Sequence, residues 1–113
     1  MIRIEEFLTE EAVSPFRRWF DALDHQAAAW VAIAIDRLGE GNTSNAKALG
    51  EGVSELRINR GPGYRVYFGW DGKVLVILLG GGTKKRQQGD IQTALGHWRA
   101  YKMRKAAGRD KRT

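Results

Sequence analysis

The sequence predicts an α+β fold: an antiparallel sheet of about four strands, an N-terminal helical hairpin and a C-terminal helix. Three observations carry this reading. Apolar residues recur every three or four positions from Phe16 to Leu38, the period of helices that bury one stripe. Alternating and then continuously aliphatic segments fill residues 53–79, the pattern of strands. A last helical stripe follows, made of Ile91, Ala94, Leu95, Trp98 and Tyr101. A chain of 113 residues supplies one hydrophobic core, so residues 1–103 read as a single domain. Residues 104–113 hold little that is apolar and read as a basic tail that frays.

Taken in order, Ile2 and Ile4 alternate with Arg3 and Glu5, giving a first strand with one buried face. Ser14 is an N-cap and Pro15 fits the first helical position, where no N–H is needed. Phe16, Trp19, Phe20 and Leu23 then form the stripe of a short helix. Asp24 caps a second helix carrying Ala27, Trp30, Val31, Ala34, Ile35 and Leu38, which ends at Gly39 and Gly41. Residues 39–52 lack periodicity and read as a loop. Val53 to Asn59 and Tyr64 to Trp70 form a hairpin about Gly61-Pro62-Gly63. Asp71-Gly72 turns the chain into Lys73 to Leu79, whose unbroken aliphatic run predicts a central strand covered on both faces.

Charge is divided unequally. The first 56 residues have a net charge of −5 and the remainder +11, so the basic excess sits on one half of a small domain. Such a field concentrates polyanions and points to nucleic acid, although a basic surface can also be merely soluble. With no cysteine and only His25 and His97, disulfides and a structural zinc are excluded. No leader-like segment is present and the longest apolar run, Val74 to Leu79, is far below a membrane span. A soluble cytoplasmic protein is therefore expected.

Side-chain parity singles out one constellation. If Leu56 and Ile58 face the core, Glu55 and Arg57 face away, and so do Arg65 and Tyr67 on the returning strand. Pairing about Gly61 then sets Arg57 opposite Arg65 and Glu55 opposite Tyr67 on an open face. Two facing guanidinium groups repel each other, so Arg65→Ala is expected to leave stability unchanged or raised. The glycine run 80–82 leads into Lys84, Lys85, Arg86 and Gln87, which fit a phosphate cradle. The ordinary alternative is a solvated sheet face paired with Glu55 and a solvated basic loop. His97 lies opposite the apolar stripe of its helix, and Trp70, next to a turn, is placed to stack a base. No carboxylate pair or Ser/His/Asp set with hydrolytic spacing occurs.

The stretches LGEGVSELRINRGPGYRVYF (residues 49–68) and VLVILLGGGTKKRQQGDI (74–91), followed by Trp98, resemble the HigB-like addiction module killer proteins of the RelE/ParE superfamily. The resemblance covers residues 7–102 in element order. It implies the RelE-like fold and the toxin of a type II toxin–antitoxin module. It further implies an endoribonuclease that cleaves mRNA, often on the ribosome, and a cognate antitoxin of helix-turn-helix type; because the sequence shows no cluster of carboxylates or histidines to hold a divalent ion, this activity is expected to be metal-independent and cofactor-free. Carried onto this sequence, Arg57 and Arg65 fall where family members present sheet-face basic residues, Lys84 matches the lysine of the GGxK pattern, and Gln87 and Asp90 match further fixed polar positions, Asp90 also being a helix cap. Together with the parity argument this makes Arg57, Arg65 and Lys84 the expected catalytic residues and Arg60, Tyr67, Lys85, Arg86 and Gln87 the expected RNA-binding ones. The chain departs from RelE in having no tyrosine clearly placed near its end to serve as acid or base. The alternatives are a ParE-like gyrase poison without nuclease activity and a non-catalytic RNA-binding module.

Overall fold

The computed structural model describes residues 1–110. In chain order it contains β1 (Arg3–Glu6), α1 (Pro15–Asp21), α2 (His25–Gly39), β2 (Ala46–Gly50), β3 (Val53–Ile58), β4 (Tyr64–Asp71), β5 (Leu75–Thr83), a single 3₁₀ turn (Lys84–Arg86) and α3 (Gln87–Asp110). The helix starts follow the capping chemistry: Ser14 accepts from the Arg17 N–H and Asp24 from the Ala27 N–H.

The sheet has five strands in the order β1-β5-β4-β3-β2. It is mixed, because β1 runs parallel to β5 while the other neighbours are antiparallel. Two expectations are thereby corrected. Within the predicted loop 39–52 lies β2, an edge strand of small and polar residues (AKALG) whose pairing with β3 is made by the backbone. A pattern read from side chains cannot see it. The central strand is β4; the aliphatic strand β5 lies next to the edge, yet is covered on both faces as its composition requires.

That double covering divides the core. Val76 and Leu78 join Phe16, Val31, Leu38 and Phe68 under the N-terminal helices. Ile77 and Leu79 join Phe7, Val53, Leu95 and Trp98 under α3. Helices α1 and α2 pack chiefly on the sheet, on β5 and β3 respectively, rather than on each other, which loosens the expected helical hairpin. Instead of fraying from residue 104, α3 continues to Asp110, because Arg104 donates to the Leu8 carbonyl (2.7 Å) and Lys105 pairs with Asp71 (2.6 Å). The remainder of the expected tail, 111–113, lies outside the described residues.

A register shift between Tyr67 and Phe68 gives β5 one extra residue, so Gly80 pairs with Tyr67 and Leu78 with Phe68. This bulge aims the glycine run at both layers. A Cβ at Gly81 would strike the Trp19 indole, whereas one at Gly80 would meet nothing within 4 Å. Gly81→Ala is therefore expected to cost about 1–3 kcal/mol by overpacking, and Gly80→Ala much less. Urea unfolding of the two variants checks this; equal midpoints would show that Trp19 yields freely.

Candidate functional site

The predicted register is observed. Arg57 lies opposite Arg65, and Glu55 opposite Tyr67. Continuing across the sheet, Arg65 neighbours Gly82 and Tyr67 neighbours Gly80, while Lys47 of β2 stands beside Glu55. The face carrying these groups is not open. Helix α3 packs over it through Ala94, Leu95 and Trp98, so Glu55 and Tyr67 are fully buried and Arg65 nearly so, at 5% exposure.

The two arginines do not simply repel each other, because a buried carboxylate lies between them. Glu55 accepts from Arg57 Nε (2.9 Å) and from Gln87 Nε2 (2.8 Å), and its Oε2 is 4.0 Å from Arg65 Nε. Arg65 also donates through Nη1 to the Tyr64 carbonyl (3.0 Å), leaving its buried Nε without a hydrogen bond among the described residues. Removing such a carboxylate from water is tolerable only with compensating charge and hydrogen bonds. Glu55 is thus the hub that holds Arg57, Arg65 and Gln87 together across β3, β4 and the start of α3.

Lys84 reaches the same end of the sheet by a backbone route. Its N–H donates to the Gly63 carbonyl (2.7 Å), tying the 3₁₀ turn to the β3–β4 turn. A Cβ placed on Gly63 would lie 3.4 Å from Lys84 Cβ and 3.7 Å from Arg65 Nη1, so Lys84 and Arg65 flank that glycine, whose φ of 80° suits no L side chain well. Lys84, Lys85 and Arg86 are exposed, Arg57 is partly exposed (37% for its side chain), and Gln87 is half-buried. Arg60 is exposed in the turn with its guanidinium 5.4 Å from the Trp30 ring centre.

Three sequence expectations change here. Tyr67 cannot meet RNA: it is buried, its hydroxyl has no hydrogen-bond partner among the described residues, and burial, followed by the Asp90 and Glu55 carboxylates, pushes its pKa up to about 12. Trp70 packs edge-on against Phe68 beside the core under α1 and α2 rather than standing free. His97 is half-buried, 5.0 Å from the Phe7 ring, and burial lowers its pKa. His25 lies exposed in the first turn of α2. Asp90 stands in the first turn of α3 over Gly82, where any Cβ would collide with its carboxylate; burial raises its pKa.

The sequence reading missed Lys47, because β2 shows no alternation, and missed the role of Glu55, because no pattern marks a buried carboxylate before its cover is known. Among the described residues no helix is long and apolar enough to cross a membrane.

Residues 18–109 match the family described as Phage derived protein Gp49-like (DUF891), a span that includes the hairpin, the glycine run and α3. The chain belongs to this family. It is a family of RelE-like addiction-module toxins. An "Uncharacterized protein" of Haemophilus influenzae is 44% identical over 80 residues, which are 70% of this chain and 81% of that relative.

Proposed function

We propose that this Gp49-like chain is the toxin of a type II toxin–antitoxin module and that it inhibits translation by cleaving mRNA, in the manner of the HigB-like proteins. What supports this reading is that Arg57, held by the buried Glu55, and Lys84, tied by its N–H to the Gly63 carbonyl, both stand at the hairpin-turn end of the sheet.

Cleavage through the 2′-OH forms a bond from the 2′ oxygen to phosphorus as that oxygen loses its proton, and breaks the bond to the 5′ oxygen as that oxygen gains one. The intervening phosphorane carries extra negative charge, which fixed cations stabilise most effectively. Arg57 supplies a forked, permanent charge to the phosphate oxygens. Lys84 supplies a second charge, exposed at the mouth of the site. Buried Arg65 is a positioning residue acting through Glu55 rather than a phosphate contact. Gln87 acts likewise, while Arg60, Lys85 and Arg86 guide the RNA backbone. The cognate antitoxin, a helix-turn-helix protein, silences the toxin by covering this basic end or displacing its residues.

Primer extension on cellular mRNA after brief induction tests the proposal. Discrete new 5′ ends are expected, and they should vanish in Lys84→Ala. Intact mRNA with broken DNA would instead indicate a gyrase poison, and neither change a binding module. In this scheme the charge stabilisation falls to arginine and lysine and not to a divalent ion. Cutting of naked RNA by the purified chain should therefore proceed unchanged in EDTA. Activity lost in EDTA and restored by magnesium would refute the metal-free scheme.

A further inference from the structure

A second feature adjoins the basic end on the opposite side of the hairpin. Between α2, the segment following it and the end of β3 lies a cleft of about 260 Å³. Every charged residue lining it is an arginine: Arg37 of α2, Arg57 of β3 and Arg60 of the turn. Arg37 comes from the half of the chain whose net charge is −5, and Arg57 and Arg60 from the half whose net charge is +11. Three of its other polar residues are the asparagines Asn42, Asn45 and Asn59. Its aromatic wall is Trp30, half-buried, with one neighbour in the core, Tyr64, and the exposed Arg60 as the other.

We infer that this cleft seats the RNA nucleotide next to the phosphate held by Arg57 and Lys84. The inference rests on the nuclease reading and adds the subsite that reads sequence. Four chemical facts agree on that occupant. An indole face stacks any nucleobase, and an arginine beside it contributes further to single-strand binding. Asparagine offers a donor pair and an acceptor, which suits the edge of an unpaired base. Arginines without a neighbouring carboxylate in the lining suit the sugar–phosphate on either side. The volume lies just below the roughly 300–1,000 Å³ of pockets for drug-sized ligands, the size for one nucleotide rather than a longer segment.

Arg57 makes the connection between the two regions. It lines the cleft, its N–H donates to the Asn45 carbonyl (2.9 Å), and its Nε holds Glu55. A strand whose base lies on Trp30 thus has to pass round the edge of β3 to bring its phosphate to the Arg57 guanidinium, which is held on the α3 face by Glu55. Arg60, exposed on a turn, moves aside from the indole as the base enters and follows the backbone instead. Sequence preference in cutting then comes from Asn45 and Asn59 rather than from the cations.

The test titrates 2′-O-methylated RNA trinucleotides, differing in the central base, into isotopically labelled protein. These probes carry base and phosphate but no 2′-OH to attack. The expected result is a shift of the Trp30 indole N–H and the Asn45 and Asn59 side-chain amides, with affinity that differs among bases. Arg37→Ala, far from the proposed chemistry, should weaken binding about tenfold, as the loss of one phosphate contact does. Asn59→Ala should level the differences among bases while the melting temperature stays. Shifts confined to Lys84–Gln87, or both variants binding and discriminating as the parent does, would overturn the inference. Cleavage of unmodified RNA is measured separately: binding in the cleft without any cutting refutes the nuclease reading and leaves the subsite standing, and the reverse outcome refutes the subsite alone.

Discussion

Replacing Arg57 by alanine is expected to lower RNA cleavage about a hundredfold while leaving the protein folded. The figure follows from transition-state charge contacts, commonly worth about 3 kcal/mol. The retained fold follows from position. Arg57 is partly exposed, at 37% of its side chain, and its partner Glu55 keeps Gln87 and Arg65 when it is gone. A half-solvated ion pair of this kind contributes about 1 kcal/mol or less. Arg57→Lys should recover only part of the activity, since an ammonium preserves charge but not the fork that grips two phosphate oxygens while Nε stays on Glu55. Growth arrest and primer extension with all three forms, alongside their melting temperatures, decide the matter. Undiminished cutting by Arg57→Ala would move the site to Lys84–Gln87.

The opposite balance is expected of Arg65→Ala. Arg65 is 5% exposed and faces a carboxylate that is entirely buried. Removing it leaves Glu55 with less compensation inside the core, which costs about 3–5 kcal/mol. Loss of toxicity in this variant would therefore accompany loss of structure. A double variant, Glu55→Met with Arg65→Met, removes both charges and keeps their volume, and it should regain most of the stability without regaining activity, because Arg57 has lost its anchor. Urea unfolding of the single and double variants measures this directly. If Arg65→Ala were as stable as the parent, mutual repulsion between the arginines, as the sequence alone suggests, would outweigh the Glu55 interaction.

That reversal shows where sequence reasoning stopped. The pairing of Arg57 with Arg65 was legible, because strand parity and a Gly-Pro-Gly turn fix which residues face each other. Whether the shared face is wet was not. It depends on α3, whose stripe Ala94, Leu95 and Trp98 is plain in the sequence but whose docking partner is not. With α3 in place, Tyr67 becomes core, Arg65 a buried partner of Glu55, and Arg57 the arginine of the pair left partly in solvent.

By itself the sequence determined the elements whose side chains repeat: two capped helices, the β3–β4 hairpin, the aliphatic β5 and the stripe of α3. It also determined that the cations belong to the second half of the chain. Tertiary structure decided what is carried by the backbone or by distant neighbours. Strand β2 is held by pairing with β3, and β1 joins β5 in parallel across some seventy residues of chain. Lys84 is fixed by one carbonyl of the hairpin turn, and the arginine–asparagine cleft arises only when α2 lies beside β3. Local periodicity reports which side of an element is apolar; contacts between residues far apart in the chain determine which charges are buried, and therefore which ones remain to meet a ligand.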